Sequence, residues 1–540
     1  MSNLRDANVV RLGAAPFDVL VVGGGINGAV SAACLAARGV RVALIDRGDF
    51  AGQTSQQSSN LAWGGIKYLE SAEVGLVAKL CRSRNHLIRS YPSTVQEIRF
   101  YSVHERGFRR ALFLIVLGTW LYWLMGRFFT LAPRLLRRAT MSREEPILDL
   151  SHVDGGVEYS DAYLHDTDAR FVWNFVRRAL DYGCVATNYV ESLGSKRDAG
   201  GHWVTRARDV TTGGELTIRS RVLVNAGGPF VDELNRGAGI TSKHHHVFSK
   251  GIHLIVDRLT PHRRVLTFFA DDGRLFFVIP MGPRTCIGTT DTKVDEPVAH
   301  VTDADRKFVL DNINKRLRLP RPLTGADIIA ERCGVRPLAV AGDKAQSGDW
   351  LTMSRKHVVE VDAGARHLSI FGGKLTDCIN VGQEVARHVA RLGVALEHPK
   401  ALWYGEPPAE THREFLHQAK LMGLDALTSP KSSEPLTVRL WRRYGTQALG
   451  LLEDIRADPR MTEVIIDGAE YLRCEIAQAA RREMIVKLGD FLRRRSKIAL
   501  VTRKSDLRKA PGLREACELL FGDAADTRFD EYFADEITMH

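Results

Sequence analysis

Only eight of the 540 residues are cysteine, and Cys34, Cys81, Cys184, Cys286, Cys333, Cys378, Cys474 and Cys517 are scattered with no Cys-x-x-Cys among them. In a chain of this length that excludes a disulfide framework and leaves reduced, buried thiols. Low-complexity tracts, collagen-like repeats and long heptad runs are absent too, which excludes a fibrous or disordered chain. Neither zinc-finger spacing nor an aromatic RNA-binding signature is present. The net charge of +11 is therefore read as attraction for phosphates or an anionic lipid surface, and nucleic acid is set aside. The first 16 residues lack the apolar core and cleavage pattern of a signal peptide. The best membrane candidate, residues 111–126 (ALFLIVLGTWLYWLMG), falls short of the roughly 20 residues that span a bilayer. It reads either as a buried helix or as a helix lying in an interface, with Trp120, Tyr122 and Trp123 at headgroup depth and Arg109, Arg110 and Arg127 on phosphates. The run His244-His245-His246 has no accompanying ligand spacing, and adjacent side chains diverge in any regular element, so no metal site is assigned.

What is present is a hydrophobic fraction of 44%, enough at this length for a large core and more than one domain. Residues 17–22 form an apolar run that reads as a buried parallel strand. Gly23-Gly24-Gly25-Ile26-Asn27-Gly28 follows as G-x-G-x-x-G, then an Ala/Leu-rich helix ending at Gly39, then a second strand, residues 41–46, ending on Asp46. Each residue has a physical task. Gly23 allows the tight turn, Gly25 lets backbone approach a pyrophosphate, and Gly28 lets helix and strand pack closely. The helix N-terminus attracts the pyrophosphate, and Asp46 suits ribose hydroxyls. Two later strands also run into glycines, at 221–229 (Ala226, Gly227) and at 368–376 (Gly372, Gly373). Three such ends, far apart in the chain, predict a long cofactor held by a discontinuous domain.

Residues 251–257, 265–270, 274–280 and 284–289 are short apolar strands separated by turn signals, and predict an antiparallel meander beside the cofactor domain. From about residue 407 the pattern turns helical over 410–422, 436–455, 469–484 and 487–497. The expected fold class is α/β. A Rossmann-type, discontinuous cofactor-binding domain with an inserted antiparallel-sheet substrate domain (sheet about 241–355) occupies 17–400. An α-helical C-terminal domain occupies 405–540.

Several motifs carry a resemblance: Thr54-Ser55-Gln56-Gln57-Ser58-Ser59, Gly64-Gly65-Ile66-Lys67-Tyr68-Leu69-Glu70, Lys250-Gly251-Ile252-His253, Ile287-Gly288-Thr289-Thr290-Asp291, Gly334-Val335-Arg336-Pro337-Leu338 and Phe371-Gly372-Gly373-Lys374-Leu375-Thr376. Nearly end to end the chain resembles the FAD-dependent glycerol-3-phosphate dehydrogenases of glycerol metabolism. The resemblance implies FAD as cofactor, held by Gly23, Gly25, Gly28, Asp46, Thr54, Ser55, Ser59, Ala226, Gly227, Gly372, Gly373 and Lys374. It implies glycerol 3-phosphate as substrate, held by Lys67, Tyr68, Arg336, Arg355 and Lys374, with His253 and Arg336 as the catalytic pair. It further implies a quinone acceptor, a cytoplasmic enzyme peripheral on the cytoplasmic membrane, and allows a homo-oligomer. Where the family carries Ser-Ser-Lys-x-x-His-Gly-Gly-x-Arg-Tyr-Leu, this chain has Asn60 for the lysine, Trp63 for the histidine and Lys67 for the arginine. These departures keep open another anionic substrate, an amino acid or a polyol phosphate. A flavin-binding membrane scaffold without turnover is the remaining alternative.

Overall fold

The computed structural model describes residues 4–342, 356–430, 432–466 and 468–534. Its strands are β1 Phe17–Val22, β2 Val42–Ile45, β3 Leu61–Ala62, β4 Val95–Glu105, β5 Arg134–Leu136, β6 Val153–Leu164, β7 Val185–Thr187, β8 Val190–Arg197 and β9 Trp203–Asp209. They continue with β10 Glu215–Asn225, β11 His244–Asp257, β12 Arg264–Phe269, β13 Leu275–Met281, β14 Arg284–Gly288, β15 Thr292–Val294, β16 Ala330–Ala341, β17 Val358–Asp362 and β18 His367–Phe371.

The first sheet has a parallel centre in the order β18-β10-β1-β2-β7. Because side chains alternate across a strand, Val19 and Val21 of β1 face one core and Leu20 and Val22 the other. Helices Ile26–Ala37, Asp168–Asp181 and Cys378–Arg391 cover the first face, and helix Leu4–Ala14 packs on the second. Burial on both faces explains the unbroken apolar run in the sequence. Register pairs Val22 with Asn225 and Asn225 with Ser369, so the three glycine-ended strands finish side by side. Three segments distant in the chain thus meet at one edge of one sheet.

The second sheet has ten strands and differs from the expected meander in two ways. Of the four expected meander strands only β12, β13 and β14 pair in sequence; β11 lies beyond β14 and pairs along its length with β16. The sheet also reaches outside residues 241–355. β12 pairs with β4, in parallel, and β4 with β6, both from the region before residue 241. Neither strand was assigned from sequence. Their pairing is set by partners about 50 to 165 residues away in the chain, which local periodicity cannot report.

The helical tail differs in detail. The stretch 436–455 is two helices, Leu436–Tyr444 and Ala448–Ala457, broken where Gly445 takes φ +54°. The stretch 469–484 is helical only over Arg473–Arg482, and 487–497 contributes a short π-helical turn, Asp490–Arg495. The tail is tied to the cofactor domain by buried charge. Arg170 meets Glu483 at 2.7 Å, and Arg495 meets Asp49 at 2.8 Å.

Residues 111–126 form the helix Leu112–Met125, and its apolar side is exposed. Phe113 is 68%, Leu117 63% and Leu124 52% accessible, and Leu114, Trp120 and Leu121 share that face. The buried-helix reading is thereby corrected. So is the place of Tyr122, which is buried with its hydroxyl 2.7 Å from Asp161 Oδ2 rather than at the surface. Among the described residues no helix is long and apolar enough to cross a membrane.

Candidate active site

The G-x-G-x-x-G turn joins β1 to helix Ile26–Ala37. Gly23 takes φ +107°, and a Cβ there would lie 2.4 Å from the Ala226 carbonyl oxygen. A Cβ on Gly28 would lie 1.8 Å from Gly23 O, so Gly28 serves packing and does not line the cavity. Gly25 has an ordinary extended conformation, and a Cβ would meet only Ser55 Oγ, at 3.2 Å. That hydroxyl accepts from Ile26 N at 3.0 Å and closes the helix N-terminus. Asp46 accepts from Gly24 N at 2.6 Å and Gly48 N at 2.8 Å. Burial outweighs these bonds and pushes its pKa up to about 6.

Two adjoining cavities open from this turn. The first is lined by Gly23, Gly25, Asp46, Thr54, Ser55, Ala226, Gly227, Gly372 and Gly373, nine of the residues expected to hold the cofactor. Glu191, Ser192 and Phe230 are among the further residues that line it, and they were missed. β8, which supplies the first two, has no glycine signature; the apolar stretch before it, residues 184–187, was the available signal. The second cavity shares Ile26, Thr54, Ser55, Pro337, Gly372 and Gly373 with the first, so one trough runs from Asp46 past the helix N-terminus to His253. That shape fits FAD. FAD bound there would have its pyrophosphate by the helix N-terminus, its ribose by Asp46 and its ring system in the second cavity.

The second cavity also contains Ser59, Tyr68, His253, Arg336 and Lys374, walled by Leu61, Trp63 and Phe277. Ile252, Leu254 and Val256 of β11 turn into the core behind the sheet, which puts Gly251 and His253 on the cavity face. A Cβ on Gly251 would lie 2.0 Å from Arg336 NH2, so this glycine makes room for the arginine. Arg336 donates to Asp291 Oδ1 at 3.2 Å and to Thr289 Oγ1 at 3.1 Å, which fixes its plane at the cavity edge. Lys374 Nζ sits 3.9 Å from the Tyr68 ring centroid and 5.8 Å from that of Trp63. His253 Nε2 lies 3.2 Å from Ser59 Oγ. Burial, then the cations Arg332 and Arg336, hold its pKa down at about 3, so the ring is neutral at physiological pH.

Lys67 does not line this cavity. It opens onto an outer one, with Glu70, Arg109, Arg110 and Arg274. Arg355 lies outside the described residues. Lys356 and Phe277 line the cavity without having been expected there, and no sequence motif marked them; Trp63, the departure from the family histidine, lines it too. Of the cavity's described lining residues three are cations (Arg336, Lys356 and Lys374) and none is a carboxylate.

The family described as FAD dependent oxidoreductase matches residues 18–361, and the C-terminal domain of alpha-glycerophosphate oxidase matches residues 409–522. Glycerol-3-phosphate dehydrogenase 2 of Mycobacterium tuberculosis is 32% identical over 503 residues, covering 91% of this chain and 82% of that protein. D-erythritol 1-phosphate dehydrogenase of Brucella abortus is 30% identical over 494 residues, covering 89% and 94%. The glycerol-3-phosphate dehydrogenase structure from Bacillus halodurans, complexed with FAD, superposes with a TM-score of 0.73 at 24% identity, covering 100% of this chain and 98% of that one, and shares its fold. With its glycine trough, its three converging strand ends and this match over most of its length, the chain belongs to the FAD dependent oxidoreductase family, and FAD is its cofactor.

Proposed function

We propose that this protein oxidises sn-glycerol 3-phosphate to dihydroxyacetone phosphate and passes the electrons to a quinone. The observation that carries the proposal is the second cavity: a neutral, buried His253 facing a space lined by three cations and no carboxylate among the described residues. A phosphate dianion suits that lining. An amino acid does not, because its ammonium group finds no counter-charge there.

Oxidising the secondary alcohol removes a proton from oxygen and a hydride from carbon. FAD, when bound, supplies the hydride acceptor. His253 takes the hydroxyl proton on a ring nitrogen; being neutral, it is in the accepting form. Arg336 holds phosphate oxygens through its planar fork, and Asp291 keeps that fork from swinging. Lys374 contributes a second charge, steadied by the Tyr68 ring. Trp63, Leu61 and Phe277 exclude water from the reacting carbon. Anaerobic addition of substrate to the yellow protein tests the reading. Glycerol 3-phosphate bleaches the flavin rapidly, whereas glycerol and amino acids do not; faster bleaching by an amino acid overturns it.

One second reading has its own support. Trp63, in place of the family's histidine, lines the reaction cavity, Lys67 stands outside it, and one relative of comparable similarity is a dehydrogenase of a four-carbon polyol phosphate. Erythritol phosphate belongs in the same bleaching series, and the larger kcat/KM decides.

The enzyme is further proposed to work at a membrane surface. The face Phe113, Leu114, Leu117, Trp120, Leu121 and Leu124 repeats at helical spacing and continues into exposed Phe128, Leu131 and Leu135. Exposed Arg109, Arg110, Arg127, Arg137 and Arg138 ring it. An apolar face edged by arginines suits an anionic bilayer interface.

A further inference from the structure

Arg332 is an unusual buried cation. It has no exposed surface and, among the described residues, no carboxylate within ion-pair distance and no hydrogen-bond partner for Nε or Nη2. Its bonds all come from NH1, which donates to Ser58 O and to Asn60 Oδ1, the latter at 3.1 Å. Ser59, the residue between these two acceptors, is the one whose hydroxyl meets His253. Register places Arg332 directly opposite His253 on β16, and alternation puts it on the same face as Gly334 and Arg336.

The turn it grips is otherwise shaped from the far side. Asp168 accepts from Ser58 N at 2.7 Å, Asn60 N donates to Ser58 Oγ at 3.1 Å, and Asn60 itself takes φ +57°. A lysine at position 60, as the family pattern has it, could not accept the bond from Arg332. Asn60 and Arg332 are chemically matched, so the cation absent from the turn is supplied from the neighbouring strand.

We propose that Arg332 is a positioning residue for the base: by holding the turn on both sides of Ser59 it sets the hydroxyl that meets His253 Nε2. The inference rests on His253 being the base. It has an electrostatic consequence as well. The charges bearing on His253 are Arg332 and Arg336, both from β16; Ser59 faces it from the turn, Gly288 lies opposite on β14, and Lys356, Lys374 and Tyr68 line the same cavity. No described carboxylate of that lining offsets them, so Arg332 disfavours the protonated ring.

The test uses the FAD-loaded full chain, with flavin content and Tm recorded for every variant. Arg332→Gln keeps reach but not charge. It should lower kcat by about tenfold or more with KM for glycerol 3-phosphate little changed, and move the acid limb of kcat/KM up by about one pH unit. Arg332→Lys should return the limb toward its native position, which a merely structural role does not require. In a Ser59→Ala background, Arg332→Lys should cost less kcat than it does in the native protein, because both act on one hydroxyl. The proposal is overturned if flavin-loaded Arg332→Gln keeps native kcat and acid limb, or if the Ser59 and Arg332 effects are independent. Should Arg332→Gln fail to load flavin, the Arg332→Lys and Ser59→Ala cycle decides alone. His253→Gln separates the two claims: native kcat there removes the base itself, whereas a dead His253→Gln beside a native-like Arg332→Gln removes only Arg332.

Discussion

Gly25 and Gly28 look alike in the sequence and do opposite jobs, so substituting each should break a different property. At Gly28 an added Cβ stands 1.8 Å from the Gly23 carbonyl oxygen, a backbone atom that can move only by unseating the turn. Helix propensity favours alanine by up to about 1 kcal/mol. Overpacking of this kind costs about 1–3 kcal/mol or more and dominates, so Gly28→Ala should lower Tm by several degrees even without flavin. At Gly25 the backbone is relaxed and the only close atom is the Ser55 hydroxyl. Gly25→Val should leave the apoprotein's Tm nearly unchanged while its branches fill the pyrophosphate position. Losing two charge-assisted bonds there costs about 3–6 kcal/mol, a weakening of FAD on the order of 10²–10⁴-fold. The assay is the flavin-to-protein absorbance ratio beside circular-dichroism melting of flavin-free protein. A Gly25→Val protein that purifies fully yellow, or a Gly28→Ala protein with native Tm, refutes the division of labour.

His253→Gln keeps size and loses the proton acceptor, so kcat should fall by about 10²-fold or more with KM little altered; steady-state kinetics with an artificial acceptor read both. Because the ring's pKa is lowered from 6.5 to about 3 on folding, the unfolded chain binds the extra proton between those values. Stability from this group is complete above pH 6.5 and declines as pH falls, by up to about 1.4 kcal/mol per unit, and melting curves at pH 7 and 5 should converge in His253→Gln. Arg336→Ala should cost about 2–4 kcal/mol in kcat/KM for glycerol 3-phosphate and much less for glycerol, since only the phosphate loses its partner. Replacing Phe113, Leu117 and Leu124 together by serine should abolish co-sedimentation with anionic vesicles while leaving kcat with a soluble acceptor intact; unchanged sedimentation removes the membrane assignment.

The cofactor half of the site is legible in the sequence because its constraints are local. A turn that must bring backbone against a phosphate admits glycine alone, and it announces itself within six residues. The same demand, repeated at Ala226-Gly227 and Gly372-Gly373, assigns three distant segments to one ligand from sequence alone, and the three do line one cavity. His253 and Arg336 were reached through family motifs, and the chain does bring them to one cavity beside Lys374. Lys67 was placed in the same set by the family resemblance, yet in the 3₁₀ turn Ile66–Leu69 only Tyr68 borders both cavities, and Lys67 borders the outer one alone.

Asp161 shows why the remainder was hidden. In sequence it closes Glu158-Tyr159-Ser160-Asp161, where nothing local says what the carboxylate will meet. In the fold it is fully buried, where burial raises its pKa against the opposing pull of Arg84, and it binds Arg84 at 3.2 Å, the Tyr122 hydroxyl at 2.7 Å and Gly64 N at 2.9 Å. Those three partners come from a helix, the exposed apolar helix and the loop that leads to Tyr68. No spacing rule connects them, because the connection is made by one side chain across three elements of unrelated register. Its consequence is nonetheless functional: the turn carrying Tyr68, which steadies Lys374, is anchored to the same carboxylate as the helix that offers its apolar side outward. Removing that carboxylate strands a buried guanidinium, a cost of roughly 3–5 kcal/mol, so one buried ion pair ties the surface helix to the loop beside the reaction cavity.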